Sequence, residues 1–336
     1  MKFPRLLASS IALVVASTLL GSPAEAAQSL ADVQRQIIQL QQDAAGAAEG
    51  AQAAKVQLAS LNRTLTGIRQ QASVQGQTVA QLRKSLGTIA IEQYKSGGLG
   101  QGLELLFASD PTLYLSSAGS LAAITRRKGI QLRKLSAAQQ RLNATTLTVN
   151  DKVALVRATQ QRLLAQSAQA QSKLKDVEKL LAKLKKSDRI RLAKLTKAAN
   201  DRAQTSSLKF AKTTGGTSGR AGIAIRFALK QIGDRYVFGA AGMLYWDCSG
   251  LTMRAYQAAG VSLPHSAAAQ ANYGRRVPLN ALKPGDLVFF GSPISHNGMY
   301  LGGGRMVNAP HTGARVRVES FGSYFGSLRL VSARRF

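Results

Sequence analysis

From Val33 to Ile89 the apolar side chains recur at alternating spacings of four and three: Val33, Ile37, Leu40, Ala44, Ala47, Ala51, Ala54, Leu58, Leu61, Leu65, Ile68, Ala72, Val79, Leu82, Leu86 and Ile89, with Gln75 the one polar member. A seven-residue repeat with two apolar positions keeps one seam of a helix against a partner, so the spacing predicts a long coiled-coil helix. Many seam positions are alanine, which lets the partner helix approach closely. A second helical region, from about 118 to 205, places Leu135, Leu142, Val149, Val156, Leu163, Ala170, Val177 and Leu184 at intervals of seven, with more polar companion positions. The two regions are expected to pair as an antiparallel hairpin within a helical domain over 28–205; an intermolecular coil is the competing arrangement. Between them, Ser96–Gly102 is glycine-rich and breaks the helix. An apolar patch at 103–107 follows, either packed into the hairpin tip or left as a docking surface. Asp110-Pro111 then reads as an N-cap with proline at the first helical position.

Beyond about 205 the heptads fade. Residues 206–219, with Gly, Thr and Ser from Thr213 to Gly219, are expected to be a flexible linker. Residues 220–336 carry aromatics, turn glycines and alternating apolar runs, the signs of a compact α+β domain.

Charge narrows the setting. Lysine and arginine number 45 against 16 acids, a formal charge of +29 spread over both halves, with 14 basic and 4 acidic residues in 219–336. Such a field favours an anionic partner: nucleic acid, a membrane surface or a carboxylate- and phosphate-rich wall. Residues 1–26 decide among these. Lys2 and Arg5 precede an apolar stretch from Leu6 to Leu20, and Ala24-Glu25-Ala26 supplies a small-x-small cleavage pattern. The chain is expected to carry a signal peptide and be secreted, which removes nucleic acid as a partner and leaves the cell wall.

Cys248 is the only cysteine, so no internal disulfide is possible. The three histidines, His265, His296 and His311, lie in the same C-terminal region. Leu251, Ala255, Ala258 and Ala259 repeat at helical spacing after Cys248, placing the thiol at a helix N-terminus, where its pKa is lowered. The Cys248 N–H would there face an oxyanion. Pro284–Phe290 reads as a turn into a buried strand, Ser295–Leu301 as a second strand and Arg305–Ala309 as a third. A hairpin of the last two would bring Asn308 beside His296, its carbonyl holding the imidazole tautomer. Cys248, His296 and Asn308 would then be nucleophile, base and orienting group. There is no His-Glu-x-x-His and no second cysteine, so neither a metal nor another cofactor is expected.

Tyr236-Val-Phe-Gly, Asp247-Cys248-Ser249-Gly250, Leu263-Pro264, Pro284–Phe290 and His296 leading into Gly298–Gly302 occur in this order, with 48 positions between Cys248 and His296. In these motifs residues 220–336 resemble the NlpC/p60 family of papain-like cell-wall peptidases. The resemblance implies an α+β papain-like domain, an antiparallel sheet packed on helices, preceded by the all-α coiled-coil hairpin. It implies catalysis by Cys248 and His296, with the family's variable third residue at Asn308. Tyr236 falls on a tyrosine beside the thiol, and Asp247, Ser249, His265 and His311 are placed around the oxyanion and substrate cleft. His265 stands where arginine is frequent, and Asn297 where valine is usual. The helical half is similar to that of secreted cell-division hydrolases, which implies regulation by the coiled coil and a membrane-embedded activator of the FtsEX type. The implied activity is cleavage of peptidoglycan stem peptides, at the γ-D-glutamyl–diamino acid bond. A non-catalytic wall-binding scaffold and an amidase or acyltransferase on the same fold are the alternatives.

Overall fold

The computed structural model describes residues 29–95, 111–213 and 217–336. The signal segment, the glycine-rich break and the apolar patch at 103–107 lie outside the described residues. Helix α1 spans Leu30–Lys95 and α2 spans Pro111–Lys183, with proline opening α2. At 1.5 Å per residue α1 is about 100 Å long. Contacts of Lys128 with Gln93, Arg162 with Gln57 and Lys173 with Asp43 run in opposite directions along the two helices, so they form an antiparallel hairpin.

The seam follows the heptads. From Leu58 to Ile89 each position of the four-three series is buried or half-buried, and nearly every other position in that stretch is exposed. The seven-residue series from Leu135 to Leu184 faces inward, and so do its polar companions, with Thr159 fully buried. Thr159 tolerates this because its hydroxyl donates to the Leu155 carbonyl one turn back.

The second helical region does not continue unbroken. It stops at Lys183, and α3 starts at Lys186 and runs to Thr213. Residues 206–213, placed by composition in the linker, are its last two turns. Leu192 of α3 packs with Val33, Ile37 and Val177, so the base of the hairpin is a three-helix cluster. The far end of α3 lies on the C-terminal domain. Ser207 Oγ accepts the Val318 N–H at 2.9 Å, which covers the free edge of a strand, and Asn200 donates to the Gly313 carbonyl at 3.1 Å.

The C-terminal domain contains α4 (Gly219–Lys230), α5 (Cys248–Ala258) and the one-turn α6 (Ala267–Gln270). A small sheet is formed by β1 (Arg235–Tyr236), β2 (Ala241–Gly242) and β3 (Tyr245–Trp246). The main sheet contains β4 (Arg275–Arg276), β5 (Leu287–Phe290), β6 (His296–Gly302), β7 (Arg305–Asn308), β8 (Arg317–Ser320), β9 (Tyr324–Phe325) and β10 (Leu328–Arg335). Its order is β4-β10-β5-β6-β7-β8, antiparallel throughout, with β9 paired to β10. Strand β5 shows why its run is wholly apolar: Leu287 and Phe289 enter the core shared with α4 and α5, while Val288 and Phe290 enter a second core on the other face. Gly298 lets β6 and β7 meet closely, since a Cβ there would sit 2.6 Å from Met306 Sδ and 3.2 Å from Asn308 Cβ.

One buried ion pair holds the end of this sheet. Asp286, 1% exposed, takes two hydrogen bonds from the Arg335 guanidinium at 2.6 Å and one from the Lys283 N–H at 2.8 Å. Removing the carboxylate leaves the Lys283 N–H and the partly exposed Arg335 guanidinium without their acceptor. Asp286→Ala is expected to cost about 2–3 kcal/mol of domain stability. Urea unfolding followed by the fluorescence of Trp246, the only tryptophan, reads this domain alone.

Candidate active site

Residue Asp247 starts α5. Its backbone is extended, and its carboxylate accepts the Gly250 N–H at 2.6 Å and the Gly239 N–H at 2.9 Å, the geometry of an N-cap. Cys248 is therefore the first residue of the helix, 3% exposed. The main-chain N–H of Asn297, on β6, points at its sulfur, so the strand that begins at His296 lies along the thiol. His296 Nε2 is 3.2 Å from Asn308 Oδ1, and both residues are buried. The β6–β7 hairpin thus brings His296 and Asn308 together, as their spacing predicted.

Of the remaining residues singled out in the sequence, Tyr236 is buried, and burial followed by the proximity of Cys248 pushes its phenol pKa up. Ser249 Oγ lies within 3.3 Å of Asp247 Oδ1. His265 Nε2 is 2.9 Å from both Asp247 oxygens. Burial would lower its pKa, but the Asp247 hydrogen bond and charge outweigh burial and raise it. His311 stays out of the His296–Asn308 contact, its Nδ1 bonding the Thr312 carbonyl at 2.9 Å.

The feature absent from the sequence reading is Glu49 of α1. It is 3% exposed and sits in the cleft. Glu49 Oε2 accepts from Ser249 Oγ at 2.9 Å and lies 3.6 Å from Cys248 Sγ, and Oε1 accepts the Ala267 N–H. Glu49 is outside the four-three series, near Ala45, which packs against the C-terminal core, while Ala47 and Ala48 cluster with Ala170 of α2. The helix approaches that core closely because its residues there are small: a Cβ at Gly46 would lie 3.4 Å from Ser295 Cβ. A lone carboxylate within Ala44–Ala54, otherwise built of Ala, Gly and Gln, in so basic a chain, was the available signal.

A second missed group joins α5, α6 and β6. Gln270 Oε1 accepts from Thr252 Oγ1 and Asn297 Nδ2, both at 2.8 Å, and Gln270 Nε2 donates to the Ser249 and Pro264 carbonyls, both at 2.9 Å. Asn297 therefore does in this chain what valine could not, binding the histidine strand to the cysteine helix through polar contacts.

The electrostatics of the cleft reverse one expectation. The helix N-terminus predicted a lowered thiol pKa, but burial pushes Cys248 well up, and the Glu49 and Asp247 carboxylates add to the rise. Burial also pulls His296 down to about 4 against the opposing pull of Glu319 and the Asn308 bond. With Glu49 seated, the thiol keeps its proton and the imidazole is neutral. Chemically, the arrangement sets a thiol and an imidazole, both uncharged, beneath a buried carboxylate.

The NlpC/P60 family profile matches residues 233–335. A probable endopeptidase of Mycobacterium bovis is 42% identical over 121 residues, which is 36% of this chain and 31% of that protein. The peptidoglycan endopeptidase RipA of Mycolicibacterium smegmatis is 37% identical over 109 residues, 28% of this chain and 22% of RipA. The chain thus spans less than a third of the length of these curated relatives. Among solved structures, NlpC2 from Trichomonas vaginalis is 28% identical, with a TM-score of 0.34 over 36% of this chain and 48% of its own.

Burial, then the Asp247 charge, raises the Glu49 pKa from 4.5 to about 7, against the Ala267 and Ser249 hydrogen bonds and His265. A carboxyl whose pKa is higher when seated than when free favours the seat in its protonated form. That contribution is complete below pH 4.5 and is lost as pH rises through about 7. Hydrogen exchange at the Ala267 amide, corrected for intrinsic rates, should therefore show protection that falls across this window. In Glu49→Gln the protection should stay flat with pH.

Proposed function

We propose, because residues 233–335 belong to the NlpC/P60 family, that the chain is a peptidoglycan endopeptidase of the cysteine type whose cleft is closed by its own N-terminal helix. The observations that support this reading are Cys248 at the start of α5, the Asn297 N–H of β6 on its sulfur, and the His296–Asn308 hydrogen bond at the head of that same strand. In the open state Cys248 gives its proton to His296, and the thiolate attacks the carbonyl of the γ-D-glutamyl–diamino acid bond. The Cys248 N–H and the positive end of α5 stabilise the oxyanion that forms. His296 then donates its proton to the leaving amine, and water attacking the thioester releases the glutamyl product. Asp247 caps the helix that carries the thiol, and Tyr236, Ser249 and His265 line the acyl side of the cleft.

Regulation by the helical half follows from Glu49. Its carboxylate takes up the Ser249 hydroxyl and the Ala267 N–H and keeps Cys248 protonated, so closure blocks substrate and suppresses the nucleophile together. Release requires a force on the hairpin that draws α1 out, the action expected of a membrane-embedded activator of the FtsEX type. The signal pattern of residues 1–26 and the proposed wall substrate support a location outside the cytoplasmic membrane, at the wall. Among the described residues, no helix is long and apolar enough to cross a membrane.

On purified sacculi, Cys248→Ala is expected to release no soluble muropeptides, and mass spectrometry of the wild-type digest should find new γ-D-glutamyl termini. Release by the Cys248→Ala protein would assign hydrolysis to another group. Glu49→Ala should raise the initial rate about tenfold or more over the wild type, since it removes charge-assisted hydrogen bonds from the closed state only. Equal initial rates would remove the regulatory reading and leave the peptidase intact.

A further inference from the structure

The His296–Asn308 contact leaves open which end of the Asn308 amide faces the imidazole. Strand β8 supplies what fixes it. Asn308 lies directly opposite Arg317 in the β7–β8 pairing, and Glu319, two residues along β8, shares that face. Glu319 Oε2 accepts from Asn308 Nδ2 at 3.1 Å, and Glu319 Oε1 accepts from Arg317 Nη2 at 2.8 Å. We propose that Glu319 is a positioning residue for the proposed reaction, setting the His296 tautomer through Asn308.

An ionised carboxylate only accepts, so Glu319 takes the NH2 end of Asn308 and turns its carbonyl to His296. A carbonyl also only accepts, so His296 carries its proton on Nε2 and keeps the Nδ1 lone pair for the thiol. With the amide reversed, its NH2 would face Nε2, the proton would move to Nδ1, and the imidazole could not take the Cys248 proton. Arg317 holds the Glu319 carboxylate in place. Among the described residues, the charged groups acting on His296 are Glu319, which stabilises its charged form, and His311, which opposes it. Residues 219–336 contain four acids. Asp234 holds Trp246 Nε1, Asp247 caps α5 and Asp286 pairs with Arg335, and Glu319 is likewise held by placed partners.

This inference rests on the peptidase reading, and its test separates the two. Glu319→Gln is nearly isosteric, and Arg317 will claim the carbonyl of the new side-chain amide, leaving its NH2 toward Asn308. The Asn308 amide should reverse and the tautomer switch. Long-range proton–nitrogen NMR distinguishes the tautomers, and with three histidines in the full chain the resonances are assignable. Wild type should show His296 protonated on Nε2, and Glu319→Gln should show it on Nδ1, with His265 and His311 unmoved as a check on folding. On muropeptides, with Glu49→Ala present in every chain, Glu319→Gln should lower kcat about a hundredfold and leave KM within about twofold. Adding Asn308→Asp should restore both tautomer and rate, because the carboxylate it introduces accepts from the substituted amide on β8 and from His296 alike. An unchanged tautomer in Glu319→Gln would overturn the inference, as would a lost rate that Asn308→Asp does not rescue. If the reference chain itself released no muropeptides, the peptidase reading would fall while the tautomer measurement still decided the role of Glu319.

Discussion

A carboxylate is one of the most costly groups to bury, and Glu49 is buried against a thiol. The cost is tolerable because the Ser249 hydroxyl and the Ala267 N–H take up its oxygens and because the site raises its pKa toward neutrality. Much of the structure serves that placement. The small residues from Ala44 to Ala54 let α1 reach the C-terminal domain on one face while keeping the hairpin seam on another. The break between α2 and α3 turns the chain back so that α3 can cover the β8 edge, bracing the domain against the base of the hairpin. The Asp247 cap presents Cys248 and Ser249 together to the carboxylate.

The closed arrangement is disarmed by the interactions that would arm it when open. In an open, hydrated cleft the α5 N-terminus and His296 favour the thiolate. Under Glu49 the same buried sulfur faces two carboxylates and holds its proton, and burial keeps His296 neutral. A long stiff hairpin is suited to such control, since a small rotation about its base becomes a large displacement at its far end. The relay behind His296 continues through Asn308 to Glu319 and Arg317, so the base stays oriented whether or not the cleft is covered.

The hairpin, the three-stranded succession β5–β6–β7 and the His296–Asn308 pair were legible in the sequence because each rests on local spacing. Heptads report a seam, alternation reports a strand, and a tight Gly302–Gly304 turn sets His296 and Asn308 on adjacent strands. What escaped has long separations in the chain. Glu49 meets Ser249 across 200 positions, and no periodicity marks a helix face that packs on another domain. Glu319 meets Asn308 through a loop of irregular length, and Gln270 gathers partners from three elements. The helix break at Leu184–Lys185 carries neither glycine nor proline, so the tertiary cluster around Leu192 sets it, not local propensity. The thiol pKa runs opposite to the sequence-based expectation because helix position is visible in the sequence, while burial of the thiol and the carboxylate over it are not.

Alkylation of Cys248 by iodoacetamide at neutral pH tests the closed cleft most directly, since the rate depends on access and on thiolate fraction together and needs no substrate. The second-order rate constant for full-length Glu49→Ala should exceed that of the wild type by about tenfold or more. Equal rate constants for the two proteins would show that Glu49 neither covers nor protonates the thiol, and would contradict the account.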